Sequence, residues 1–408
     1  MTLIDQSRLV KQVGNAVKGI RLATACAGIK QTERDDIALL EITQGAACSA
    51  VFTQNRFCAA PVILAKQHLD QSTPRYLLIN SGNANAGMGQ QGIDDARESC
   101  RAVAAQFGCD HEAVLPFSTG VIGERLAVEK ITAKLADLAA SLSEDAWLPA
   151  AQAIMTTDTR EKVFSYRSHV GEVEFTVTGI AKGSGMIHPN MATMLAYIAT
   201  DAAVKPKLLD DILQRAVTTS FNAITVDGDT STNDACVLIA TGQSALQISS
   251  ADSKGYMALS EAVTQVCQSL AQAIVADGEG ATRLVHVKVS GGKTEQECRQ
   301  VADTVALSPL VKTALFAQDP NWGRILAAVG RAGIDDLDAE KVTIHIDQTL
   351  IAEQGARAAS YNEQAAKQVM EQKEYSLRIE LGRGNFKSQV STCDLSYDYV
   401  RINAEYRS

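Results

Sequence analysis

Gly183-Ser184-Gly185-Met186-Ile187-His188-Pro189-Asn190-Met191-Ala192-Thr193-Met194-Leu195 stands near the middle of the chain and sets its organisation. A hydroxyl residue follows the small Ala192, behind a glycine-rich bend. Two readings suit this stretch. One is a turn, Gly-Ser-Gly and then His-Pro-Asn, leading into a buried strand over residues 193–199. The other is a self-cleaving peptide. A cut at Ala192–Thr193 frees Thr193 as a new N-terminus, whose α-amine can activate its own hydroxyl. On that reading the chain is a precursor of two pieces, 1–192 and 193–408.

Composition narrows the class. A length of 408 residues allows two domains, and 46% hydrophobic residues suffice for a sizeable core. The net charge of −9 provides no basic surface for nucleic acid. Without an apolar run of 18 residues or a charged-then-apolar leader, a soluble cytoplasmic protein with no membrane partner is expected. The nine cysteines are odd in number and form no Cys-x-x-Cys pair, and the six histidines are scattered. Neither a disulfide framework nor a metal site is indicated, and most thiols should be small buried groups.

Helical and strand periods alternate along the chain. Residues 76–80 read as a strand feeding a polar loop, Ser81-Gly-Asn-Ala-Asn-Ala86. Residues 94–107 place Ala96, Cys100, Val103, Ala104 and Phe107 at helical spacing, with Asp94 and Asp95 where the dipole favours acids. Val173, Phe175 and Val177 alternate with polar residues as a strand directed at the central segment. Pro206 opens a helix, and residues 260–276 form the longest one, ending at Gly278-Glu-Gly280. Strands follow at 284–289, 342–346 and 377–381. The mixture predicts an α/β or α+β fold, and periodicity alone does not choose between them.

The central segment, from Lys182 to Leu195, closely resembles the self-cleavage segment of the ornithine acetyltransferase family, also called glutamate N-acetyltransferase, of arginine biosynthesis. Further segments match in order: Asn80-Ser-Gly-Asn-Ala-Asn-Ala86, Ser118-Thr-Gly-Val-Ile-Gly123, Met155-Thr-Thr-Asp158, Asp227-Gly-Asp-Thr-Ser-Thr-Asn-Asp234, Gly278-Glu-Gly-Ala-Thr282, Asp319-Pro-Asn-Trp-Gly-Arg324 and the tail around Asn403. One departure is Gly87-Met88-Gly89, where the family has Cys-Thr-Gly.

The resemblance implies mixed sheets sandwiched by helices, in a self-cleaved precursor whose halves, an α chain (1–192) and a β chain (193–408), are interwoven. It implies a ping-pong reaction in which N-acetylornithine acylates Thr193 and glutamate takes the acetyl group. Thr119 and Gly120 match the oxyanion hole. Lys182, Glu279, Asn403 and Ser408 are implied substrate contacts, as is one of Thr156 and Thr157, with Thr156 preferred. Two α and two β chains are the implied assembly. No cofactor is implied, and acetyl-CoA enters only as a substrate if the enzyme is bifunctional.

Other roles follow from the residues themselves. Asp227-Gly-Asp-Thr lacks the twelve-position calcium pattern and reads as support for the cleavage segment. Asp319 to Arg324 should begin a helix, with Arg324 in buried ion pairs. Two further classes compete with the transferase. A hydrolase using an N-terminal nucleophile would send the acyl group to water, and a non-catalytic amino-acid-binding protein would stay uncut.

Overall fold

A computed structural model describes residues 14–30, 33–188 and 194–405. Their contacts separate two units. The first takes Met1–Gly183, Pro189–Asn222 and Thr230–Ile274, and the second takes Ser184–His188, Ala223–Asp229 and Val275–Ser408.

Two sheets build the first unit. One holds, in order, the strands Ile20–Ala25, Ile37–Ile42, Tyr76–Asn83 and Val114–Val121, of which the last two run parallel. The other is ordered Ala47–Phe52, Ala235–Ala240, Leu195–Thr200, Val173–Lys182 and Lys162–Val170. Alternation along the Ile37–Ile42 strand explains the layering. Ala38, Leu40 and Ile42 join a core shared with Ile180, Tyr197 and Val237 of the second sheet. Ile37 and Leu39 turn the other way, onto Ala96, Cys100 and Val103 of the helix Gly89–Phe107. This is the period-2 pattern of a strand buried on both faces. Between the sheets, Phe117 meets Tyr197 edge to face with ring centroids 5.2 Å apart, a geometry worth about 0.5–1.5 kcal/mol beyond burial. Outside the second sheet, Gly179 lies against Val266 and Leu270 of the helix Lys254–Ala276.

The second sheet is where the central segment acquires its meaning. Lys182 ends one strand and Leu195 begins its antiparallel neighbour, and the two are register partners. Leu195–Thr200 also pairs in parallel with Ala235–Ala240, which pairs with Ala47–Phe52. Strands from both sides of the 192–193 peptide therefore share one hydrogen-bonded sheet.

The second unit carries a seven-stranded sheet ordered Ile224–Thr225, Phe386–Cys393, Leu284–Gly292, Glu374–Glu380, Thr343–Ile346, Thr349–Glu353 and Ala356–Arg357. Val285, Val287 and Val289 alternate onto its covered face, packing with Val301 and Val305 of the helix Glu295–Ala306, Leu315 and Ile325. The fold is mixed α/β, with helices layered on sheets. No helix among the described residues is long and apolar enough to cross a membrane.

Three sequence expectations need correction. The strand beginning at Tyr76 does not end at Asn80 but runs to Asn83, because Ser81 and Gly82 keep pairing with Thr119 and Gly120. The helix expected from residue 94 begins at Gly89, so Asp94 and Asp95 lie beyond its first turn; Asp95 is buried and pairs with Arg125 instead. Arg324 follows the N-cap Asn321 as expected, but its guanidinium donates to the Leu310 carbonyl (2.9 Å) and the Thr313 hydroxyl (3.2 Å) rather than entering a buried ion pair.

Candidate active site

Thr119 and Gly120 close the strand Val114–Val121 within the first unit. Gly120 has φ +135°, and a Cβ there would collide with the Gly82 backbone and sit 2.5 Å from the Asn83 nitrogen. Only glycine brings these two parallel strands so close at that angle. The asparagine-rich motif is the clamp beneath them. Ser118 donates to Asn80 Oδ1 (2.5 Å), Asn80 donates to the Asn83 carbonyl (2.8 Å), and Asn83 spans to the carbonyls of Glu124 and Arg125. From the motif ending at Asp234, the Asn233 amide donates to the carbonyls of Ala84 (2.6 Å) and Ser118 (2.9 Å).

Lys182 reaches the same place. Its buried ammonium donates to Thr119 Oγ1 at 3.3 Å. Lysine only donates, so this contact uses a lone pair of the Thr119 oxygen and leaves its O–H proton to be aimed elsewhere.

Asp158 fixes the strand end from below. Its carboxylate accepts from Lys162 Nζ (2.7 Å), the Gly183 N–H (2.7 Å) and the Thr156 N–H (3.0 Å). Burial alone would push this carboxyl up, but Lys182, Lys162 and the Gly183 N–H outweigh it and hold the group well below the usual carboxylate range. Thr156 is thus tied through Asp158 to the start of the central segment. Sequence reasoning gave Asp158 no role, although the acid and base four residues apart at 158 and 162 were a legible signal.

The Asp158–Lys162 pair predicts a pH signature. Its carboxyl pKa is lower folded than the unfolded value of about 3.9. The stabilisation is therefore complete above that value and is lost as pH falls through the lower folded value. Asp158→Asn strands a buried lysine and is expected to cost roughly 3–5 kcal/mol at pH 7. The gap from wild type should narrow below about pH 4, which urea melts at neutral and acid pH would show.

A second group lies within the second unit. Gly185 faces Glu279 so closely that a Cβ would stand 2.5 Å from Glu279 Oε1. The Glu279 N–H donates to the Ser184 carbonyl (2.9 Å), and Asn403 donates to Glu279 Oε2 (2.8 Å) from the helix Tyr397–Ala404. Asp227 supports the neighbouring residues by accepting from the N–H groups of Met186 (2.6 Å) and Ile187 (3.0 Å). It holds Met186 at φ +55°, a left-handed conformation costing a non-glycine residue about 1–2 kcal/mol. Tyr399 bonds Asp227, and burial together with Asp227 and Glu279 pushes its phenol up.

The structure thus brings Thr119, Gly120, Lys182 and Thr156 into one group and Glu279 and Asn403 into another. Ala192, Thr193 and Ser408 lie outside the described residues. Among the described residues no cluster of three or more His, Cys, Asp or Glu side chains could hold a metal.

The family model described as ArgJ family matches residues 21–408. An arginine biosynthesis bifunctional protein ArgJ of Methylococcus capsulatus (strain Bath) is 56% identical over 392 residues, covering 96% of each chain. The protein of the same name from Pseudomonas syringae pv. tomato is 54% identical over 393 residues, covering 96% of this chain and 97% of its own. Of solved structures, an arginine biosynthesis bifunctional protein argJ from Bacillus halodurans is 36% identical, covering 50% of this chain and 96% of that chain, with a TM-score of 0.48.

Proposed function

The chain belongs to the ArgJ family, and from that premise we propose that it is a self-processing acetyltransferase of arginine biosynthesis. It carries the acetyl group of N2-acetylornithine to glutamate through an acetyl-enzyme. Cleavage at Ala192–Thr193 divides it into chains 1–192 and 193–408, which remain together as an α2β2 assembly in the cytoplasm. No cofactor takes part.

Thr193 supplies the nucleophile. Its hydroxyl first attacks the Ala192 carbonyl, and water hydrolyses the resulting ester. In turnover the same hydroxyl takes the acetyl group, ornithine leaves, and the glutamate amine attacks the acetyl ester. The freed α-amine serves as base because its pKa of about 7.7–8.0 lies near working pH. The Thr119 hydroxyl and the Gly120 N–H receive the oxyanion formed in both half-reactions. Lys182 pairs with a substrate carboxylate. Glu279 receives the ornithine ammonium, steadied by Asn403, while Thr156 and Ser408 complete the substrate contacts.

The observation that carries this reading is the Lys182 ammonium on the Thr119 hydroxyl beside a glycine that no other residue replaces, at the strand end from which the cleavage segment departs. Transfer of labelled acetyl from N-acetylornithine to glutamate tests it. Release of free acetate at the same rate without glutamate would favour a hydrolase instead. Glu279→Gln is expected to raise KM for N-acetylornithine at least tenfold with a smaller fall in kcat, since a neutral amide forfeits the ion pair.

The curated relatives bear the word bifunctional in their name, which favours a second reaction at the same threonine. Acetyl-CoA would then acylate Thr193, giving N-acetylglutamate. An acetyl-CoA:glutamate assay on the cut protein decides it.

A further inference from the structure

Lys30 packs against the strand that carries Gly82, within the first unit. Its backbone is pinned by Asp36, a fully buried carboxylate that accepts from the N–H groups of Ala27 (2.7 Å), Ile29 (2.6 Å) and Lys30 (3.0 Å). A Cβ placed on Gly82 would stand 3.1 Å from Lys30 Cγ and 3.2 Å from the Lys30 nitrogen. Gly82 is in turn the residue that a Cβ on Gly120 would strike. Lys30, Gly82 and Gly120 are therefore stacked in that order.

The Lys30 ammonium ties this stack to a second element. It donates to the Ala153 carbonyl (3.1 Å) and to the Asp35 carbonyl (3.3 Å). The Ala153 carbonyl also accepts from Ser81 Oγ (2.5 Å), so one of its lone pairs goes to Lys30 and the other to the residue before Gly82. Ala153 ends the helix Trp147–Ala153. Beyond it, the Thr156 N–H donates to Asp158, the carboxylate that also holds the Gly183 N–H.

We propose that Lys30 is a positioning residue for acetyl transfer, its two carbonyl bonds holding Gly82 against Gly120 and anchoring the start of the Thr156 loop, so that the Thr119 hydroxyl and the Gly120 N–H keep their aim. This rests on the reading of Thr119 and Gly120 as the oxyanion group. The charge matters because a charge-assisted hydrogen bond is roughly twice as strong as a neutral one. Burial, with Arg34 and Lys182 acting against Asp36 and Asp158, brings the Lys30 amine down to about 8. Those four are the charged groups that face it, and Asp35 meets it through its carbonyl while its carboxylate accepts from Thr24 Oγ1 (2.5 Å). Above that pH the ammonium becomes a neutral amine, and its hold on the two carbonyls weakens.

Lys30→Met tests the proposal, because methionine keeps the stem that packs on Gly82 and removes the donor. The readouts are kcat and KM for N-acetylornithine, below and above about pH 8. Below it, kcat of the variant is expected to fall about ten- to a hundredfold, the size of loss that a shift of roughly 1 Å in a catalytic group brings. KM should stay within about twofold, since the interaction lost serves the transition state. Above it the ratio of wild-type to variant kcat should shrink, because the wild type loses the charge that the variant lacks. An equal kcat, or a loss of the same size at every pH, overturns the proposal. So does a raised KM with unchanged kcat, which would make Lys30 a substrate contact. Lys30→Gln, a neutral donor on a shorter stem, carries the same expectations should the methionine variant fail to accumulate as soluble protein. Thr119→Val is run alongside. A fully active Thr119→Val enzyme would defeat the oxyanion reading and the proposal with it, whereas an impaired one beside an unchanged Lys30→Met would overturn the role of Lys30 alone.

Discussion

Thr193→Ala is expected to leave a single chain near 43.5 kDa that transfers no measurable acetyl group. Alanine keeps the backbone and removes the oxygen that attacks Ala192, so no ester can form and no new N-terminus appears. Loss of a catalytic nucleophile costs on the order of 10⁶ in kcat where it has been measured in a hydrolase. The fold should survive, since Leu195–Thr200 is held by Val173–Lys182 on one side and Ala235–Ala240 on the other. Circular dichroism and a thermal melt close to wild type would show that the loss is chemical. A Thr193→Ala protein that is cut and active would require another nucleophile.

Gly120→Ala is the second large effect. The new methyl group would meet the Gly82 carbonyl carbon and the Asn83 nitrogen, both backbone atoms within paired strands that cannot swing aside. An L-residue is also strained at φ +135°. The strands must part, moving the Gly120 N–H and the Thr119 hydroxyl away from the developing oxyanion. Removal of one such donor typically costs about 10²–10³ in kcat, and displacing both should reach at least the upper figure. The change should fall on kcat in both half-reactions, with KM for N-acetylornithine little altered. Thr119→Val separates the two donors, because it keeps the glycine geometry while deleting only the hydroxyl. If Gly120→Ala turned over normally, the oxyanion assignment would have to be given up.

The sequence carried the fold through local signals and failed where long-range pairing took over. Pro206 marked the first residue of its helix, and alternation at Val173, Phe175 and Val177 marked their strand. The asparagines after Tyr76 read as a loop because their side chains favour turns. In the structure, pairing with Val114–Val121 prolongs the strand and converts those amides into clamps on distant carbonyls. The helix start at Gly89 was hidden because Gly89-Gln-Gln-Gly92 carries no capping side chain. Arg324 was assigned an ion pair on residue type alone, and the carbonyl it caps comes from a helix fourteen residues earlier.

The candidate site divides along the same line. Glu279 could be singled out between its glycines, and Asn403 could be named only from a resemblance. That a tail helix donates an amide to the Glu279 carboxylate is a tertiary fact. Asp158 closes the Met155-Thr-Thr-Asp158 motif, which by itself assigns it no role. What distinguishes it, three donors on one buried carboxylate, exists only after folding. Sequence spacing carries the type of a side chain, whereas burial and partnership decide what it does.

Intact mass of the purified protein under denaturing conditions tests self-cleavage at Ala192–Thr193. Two species are expected, residues 1–192 and residues 193–408, the second beginning with Thr193. A single species near 43.5 kDa with full acetyl-transfer activity would contradict it, because an uncut Thr193 has no α-amine to serve as base.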